Sequence, residues 1–247
     1  MTWVKICGTT NLEDAFIAVE AGADAVGFVF YEKSPRWVSV DVAREIVEQL
    51  PANVEKVGVF VQGSEVDWGI EFLGVGLTAA QFYLPVEAEE EPGPRRANAI
   101  ASNLFPRLPK VFMALPATFF MEDGEQVAQL VANFAQQQHK ETGQASATEG
   151  SFDTYFLDSG GLRQPGGTGR TFDWEGAKPA VDGMRKGGLK VAVAGGLTPE
   201  NVGEAIGILR PWGVDVVSGV EARPGKKDPE KVRAFVRAVR EMDRKAG

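Results

Sequence analysis

The feature that most constrains this chain is a rhythm. Short apolar runs of strand length alternate with amphipathic stretches of helix length along the sequence. The runs fall at Trp3–Gly8, Asp24–Phe30, Glu55–Val61, within Gly76–Tyr83, and at Lys110–Leu115, Phe152–Leu157, Leu189–Ala194 and Val214–Ser218. Between them, apolar stripes mark helices. Leu12, Ala15, Phe16 and Val19 form one that Gly22 closes. Ala43, Ile46, Val47 and Leu50 form a second that Pro51 stops. A helix is also expected near Glu65 to Leu73. Val127, Leu130, Val131 and Phe134 form a stripe within Glu125–Gln138, and Val232, Phe235, Val236, Val239 and Met242 form the last. Thr10-Asn11-Leu12-Glu13 has capping-box spacing, Thr198-Pro199 supplies a cap and a first-turn proline, and Asp228-Pro229 starts the final helix.

Strands apolar on both faces, alternating with helices, imply a parallel sheet covered on both sides, and eight units imply a single (β/α)8 barrel over residues 1–247. Hydrophobic residues make up 44% of the chain, enough to fill such a core. An open doubly wound sheet would want a dinucleotide fingerprint after the first strand, and Cys7-Gly8-Thr9-Thr10-Asn11 is not one. Extended loops are expected around strands four to six. Residues 85–98 read as an acidic, proline-rich loop before a short helix around Ala97 to Phe105. Residues 140–151 read as a mobile insertion.

In a barrel, the residues that follow each strand share one rim, where chemistry is done. Cys7, the only cysteine in the chain, ends the first run, and alternation puts Lys5 on its face. A free cysteine is most often a small buried hydrophobe, so the thiol gains interest only from its place at a strand end. Asp158 ends the sixth run, where a turn or cap aspartate is the ordinary alternative. Asp215, on the eighth strand, would lie beside the first in a closed barrel and could face Lys5 and Cys7. Arg36 follows the second strand, and its planar guanidinium suits a carboxylate. Gly195-Gly196 after strand seven and Ser218-Gly219 after strand eight stand where such barrels hold phosphate.

A formal net charge of −8 leaves no basic surplus for nucleic acid. A lone cysteine excludes an internal disulfide framework and suits the cytoplasm. No run is long and apolar enough to span a membrane, and there is no secretory leader pattern. His139 sits in a polar stretch and is assigned no role. No cluster has metal-site spacing. Monomer and homodimer both remain open.

Several blocks together resemble phosphoribosylanthranilate isomerases of tryptophan biosynthesis. They are Val4-Lys5-Ile6-Cys7-Gly8-Thr9-Thr10, Gly27-Phe28-Val29-Phe30 with Ser34-Pro35-Arg36, and Gly58-Val59-Phe60-Val61. They continue with Gly166-Gly167-Thr168-Gly169-Arg170-Thr171-Phe172-Asp173-Trp174, Ala194-Gly195-Gly196-Leu197 and Asp215-Val216-Val217-Ser218-Gly219-Val220-Glu221. The resemblance implies an Amadori rearrangement of a phosphorylated small-molecule substrate, N-(5-phosphoribosyl)anthranilate, without metal or organic cofactor. It implies Cys7 as base and Asp158 as acid, with Lys5, Arg36, Gln81, Asp215, Gly195, Gly196, Ser218 and Gly219 at the substrate. Lys5 is expected to lower the thiol's pKa, and burial or an anionic ligand to raise that of Asp158. The chain departs from the family pattern after strand four. A Gln-Leu-His-Gly segment is usual there, and this chain has Gln81-Phe82-Tyr83-Leu84. The segment after strand five, Ala114-Leu115-Pro116-Ala117, lacks an expected basic residue. Other readings are a barrel that binds a phosphorylated sugar with little turnover, a related aminoaldose isomerase, and an indole-glycerol-phosphate type enzyme.

Overall fold

A computed structural model describes residues 1–61, 72–83, 110–117, 154–160 and 169–246. Eight parallel strands close into a barrel in chain order: β1 (Trp3–Ile6), β2 (Ala25–Val29), β3 (Glu55–Val61), β4 (Ala79–Tyr83), β5 (Lys110–Pro116), β6 (Thr154–Asp158), β7 (Lys190–Val193) and β8 (Gly213–Val216). All eight expected strands are present, most of them a residue or two shorter than the apolar runs. Cys7, Ala194 and Ser218 therefore stand just past their strands, on the rim. The described helices are α1 (Leu12–Ala21), α2 (Val40–Val47), α3 (Trp174–Lys186), α4 (Val202–Leu209) and α5 (Pro229–Ala246). The loop at 85–98, the helices expected around 97–105 and 125–138, His139, the 140–151 insertion and Gly166-Gly167 lie outside the described residues. Of the helix expected near Glu65–Leu73, the described end is one 3₁₀ turn, Phe72–Val75.

Three local expectations are corrected. The cap of α1 is Asn11, one residue later than the Thr10 box. Its side chain accepts from the Asp14 N–H, and its amide reaches the Asp14 carboxylate at 2.9 Å. The buried face of α1 is Asp14, Ala15, Ile17 and Ala18, and Phe16 is exposed. Helix α4 begins at Val202 and not at Thr198-Pro199. Asn201 holds the intervening turn by accepting from the Thr198 N–H at 2.8 Å and donating to the Gly196 carbonyl at 3.0 Å. In α5, Val232, Phe235, Val236 and Val239 are buried, and Met242 stays partly exposed against α4.

Two apolar sets share the core. The larger lies between sheet and helices. The smaller fills the barrel itself with Ala25, Val57, Ala79, Phe112, Ala114, Phe156 and Ala192. Four alanines in that set make room for long side chains from other strands. On β1, alternation sends Trp3, Lys5 and Cys7 inward at rising levels. Trp3 closes the floor, edge-on to Phe112 and Phe156 with ring centroids 6.0 and 6.1 Å away. Lys5 occupies the middle with its ammonium 5.1 Å from the Phe156 ring centre. Cys7 comes out at the mouth, where its N–H donates to the Val216 carbonyl at 2.9 Å. The same alternation on β4 gives Ala79, Gln81, Tyr83, and on β6 it gives Phe156, Asp158.

Candidate active site

The middle level carries a buried cation that the fold neutralises by register. Closure pairs Lys5 directly with Asp215 across β1 and β8. Lys5 Nζ donates to Asp215 Oδ2 and to Gln81 Oε1, each at 2.9 Å, with the lysine fully buried and the aspartate nearly so. Burial alone would drive the lysine toward its neutral form, but Asp215 and Cys7 outweigh it and hold its pKa above the ordinary lysine value. Among the described residues, Asp215 Oδ1 and Gln81 Nε2 have no hydrogen-bond partner. Each is therefore a buried polar atom ready to receive a ligand group, since leaving such atoms unpaired costs about 1–3 kcal/mol each.

Cys7 stands next to this cation. A Cβ placed on Gly27 of β2 would lie 2.6 Å from Cys7 Sγ and 2.9 Å from Lys5 Cε, so only glycine leaves both side chains where they are. The expectation that Lys5 depresses the thiol's pKa is corrected. Lys5 does pull it down, but burial pushes up harder and Asp215 adds to it, so the thiol lies above its ordinary value. Lys5 gives less help than its position promises because its charge is already matched by Asp215.

Asp158, the last residue of β6, meets the expectation of an upward shift. Burial raises its pKa and Asp215 adds to that, against the hydrogen bonds that Tyr83 and Gly160 donate to its carboxylate. Tyr83 Oη donates to Oδ2 at 2.6 Å, and the Gly160 N–H to Oδ1 at 2.7 Å. Tyr83 was not among the expected site residues. The signal for it was available: it ends a strand, two residues after Gln81, and so shares the inward face.

Three of the four phosphate candidates, Gly195, Gly196 and Ser218, share a cleft, and Gly219 is not part of its lining. Asp158, Asp215, Gly195, Gly196 and Ser218 line one cleft open to solvent. Gly195 and Gly196 have φ of +80° and +64°, a left-handed backbone that suits glycine. A Cβ on Gly195 would strike Ser159, one on Gly196 the Arg170 carbonyl, and one on Gly219 the Leu197 carbonyl. The rim loops after β6, β7 and β8 thus press backbone to backbone around the cleft. No helix N-terminus stands at Thr198, but a 3₁₀ turn over Ser218–Val220 follows β8 directly.

Arg36 lies apart from this pairing. Its Nε and Nη2 donate to the two carboxylate oxygens of Glu221 at 2.9 and 2.8 Å, and the side chain is largely buried. It is neither a solvated loop arginine nor an unoccupied clamp. Glu221 also accepts from Lys227 Nζ at 3.3 Å. Burial pushes the Glu221 carboxyl up, yet Arg36 and Lys227 bring it below its ordinary value.

A family profile described as N-(5'phosphoribosyl)anthranilate (PRA) isomerase matches residues 4–71 and 123–238. A Citrifermentans bemidjiense protein named N-(5'-phosphoribosyl)anthranilate isomerase is 38% identical, with 98% of each chain aligned. A crystal structure of phosphoribosyl anthranilate isomerase in complex with reduced 1-(o-carboxyphenylamino)-1-deoxyribulose 5-phosphate superimposes with a TM-score of 0.70 at 36% identity. The match covers 98% of this chain and 100% of that one. Another, of monomers generated from the dimeric Thermotoga maritima enzyme, gives 0.69 at 36% identity over the same shares.

Proposed function

The chain belongs to the N-(5'-phosphoribosyl)anthranilate isomerase family and is an isomerase of tryptophan biosynthesis; on that premise we propose that Asp158 and Cys7 are the acid and base of its Amadori rearrangement. The observation that carries this reading is the common rim. Asp158, Gly195, Gly196 and Ser218 line one cleft together with Asp215, and Asp215 is paired with Lys5, two residues from Cys7 on the inward face of β1.

Asp158, whose pKa burial raises, gives its proton to the furanose ring oxygen. The C1–O bond breaks, and the anthranilate nitrogen lone pair forms a C1=N iminium. Cys7 as thiolate takes the C2 proton, and the electron pair left behind forms the C1=C2 bond of an enolamine. The enolamine loses its O2 proton and gains one at C1, giving the ketone. Each transfer is worth roughly 10²- to 10⁴-fold. No external electron acceptor is needed, because oxidation at C2 balances reduction at C1. Gly195, Gly196, Ser218 and Gly219 hold the phosphate. Asp215 Oδ1 and Gln81 Nε2 take sugar hydroxyls, which pairs their free valences. Lys5 keeps Asp215 in place. Arg36, oriented by Glu221, supplies positive charge for the anthranilate carboxylate.

The reaction requires a reduced thiol, which suits the cytoplasm. Either a monomer or a homodimer like the Thermotoga relative is compatible with a site built within one chain. We expect Cys7→Ala and Asp158→Asn each to lower kcat by about 10²-fold or more in a phosphoribosylanthranilate turnover assay. Calorimetric binding of the reduced product analogue should survive in both. Wild-type protein that binds the analogue but does not turn the substrate over would favour the binding-barrel reading.

A further inference from the structure

We propose that Tyr83 is a positioning residue for the acid: its hydroxyl fixes the Asp158 carboxyl and stabilises the carboxylate that forms when the proton leaves. The inference rests on Asp158 acting as the acid. Tyr83 and Asp158 are not on neighbouring strands, because β5 lies between them. The register sets Tyr83 beside Ala114 of β5, and Ala114 faces into the barrel. A side chain that small lets the tyrosine ring cross the intervening strand and reach β6.

The contact, at 2.6 Å, is a close hydroxyl hydrogen bond to one carboxyl oxygen. With the Gly160 N–H on the other oxygen at 2.7 Å, both carboxyl oxygens are held. The side chain's terminal torsion, broad in an unconstrained aspartate, is therefore fixed. The acidic proton must occupy one of the remaining lone-pair positions, so its direction of delivery is set. Burial and the nearby carboxylates push the phenol well above its ordinary pKa, so it remains a donor while Asp158 titrates. Two opposed effects then meet on one carboxyl. Burial favours the protonated carboxyl, and Tyr83 stabilises the negative charge as the proton departs, with no reorganisation at that moment.

The test compares wild type, Tyr83→Phe and a variant with 3-fluorotyrosine at 83, a stronger donor of nearly the same size. The readouts are kcat, KM and the Asp158 carboxyl titration by ¹³C NMR, assigned by difference from Asp158→Asn. Tyr83→Phe should lower kcat roughly ten- to a hundredfold with KM little changed and move the Asp158 midpoint to higher pH. The fluorotyrosine variant should fold as wild type and move that midpoint lower. Unchanged kcat and midpoint in Tyr83→Phe, or an unmoved midpoint with the fluorotyrosine, would overturn the inference. If Asp158→Asn instead keeps wild-type kcat, it is the acid assignment that fails.

Discussion

At the scale of single residues, the site sets a buried thiol beside a cation already paired with Asp215. Lys5 answers to Asp215 first, so the proposed base is tuned by the balance between burial, which disfavours the thiolate, and the part of the lysine's field that reaches sulfur. The chain has one cysteine, so ultraviolet thiolate absorbance, read against Cys7→Ala, titrates this group alone. We expect a midpoint above the ordinary value of 9.0. The sign follows directly: the folded environment favours the protonated thiol, so thiolate appears only as pH rises past the raised pKa. Lys5→Met should move the midpoint further up, since the lysine's contribution is downward. A midpoint below the ordinary value would show that the cation, and not burial, governs the base. Cys7, Lys5, Asp215 and Asp158 were legible from position alone, because period-two alternation and strand ends fix which side chains reach the rim. The direction of the thiol's shift was not legible. It depends on how deeply the sulfur is buried and on the Lys5–Asp215 pairing, and both are products of closure.

At the scale of elements, strand register does the positioning and the rim glycines do the fitting. Pairing of Lys5 with Asp215 is a consequence of β1 meeting β8, and the sequence alone offered it only as a possibility that barrel closure would decide. Helix starts were less legible. The caps of α1 and α4 lie one and three residues from the expected ones: the Thr10 hydroxyl donates to the distant Gly225 carbonyl and leaves Asn11 to accept from the Asp14 N–H, while Thr198 accepts from Glu200 in a turn that precedes α4. Arg36 was read as free for ligand because Glu221 is 185 residues away along the chain. Among the loops, Gly219 has the least room, since a Cβ there would collide with the Leu197 carbonyl. Gly219→Ala should therefore spread the contact between the β7 and β8 loops and weaken phosphate anchoring. We expect KM to rise about tenfold or more, with a smaller change in kcat, consistent with the loss of one or two charge-assisted hydrogen bonds. An unchanged KM would place the phosphate elsewhere on the rim.

At the scale of the whole molecule, the barrel separates stability from chemistry along its axis. Trp3, Phe112 and Phe156 seal one end with aromatic packing. The Lys5–Asp215–Gln81 level carries charge through the middle, and the thiol, the carboxyl and the glycine loops share the other end. Among the described residues, no helix is long and apolar enough to cross a membrane. The eight-unit rhythm made this architecture readable, because parallel closure leaves few alternatives once eight strands each precede a helix.

The central claim is spatial: one bound sugar phosphate touches both Cys7 and Asp158. A crystal structure of this protein with the reduced product analogue tests it most directly. The account predicts the phosphate on Gly195, Gly196, Ser218 and Gly219, with Cys7 Sγ and an Asp158 oxygen each within about 4 Å of the sugar, the range of near-attack contacts. An analogue bound away from either side chain, or reaching one while the other faces a separate space, would contradict it.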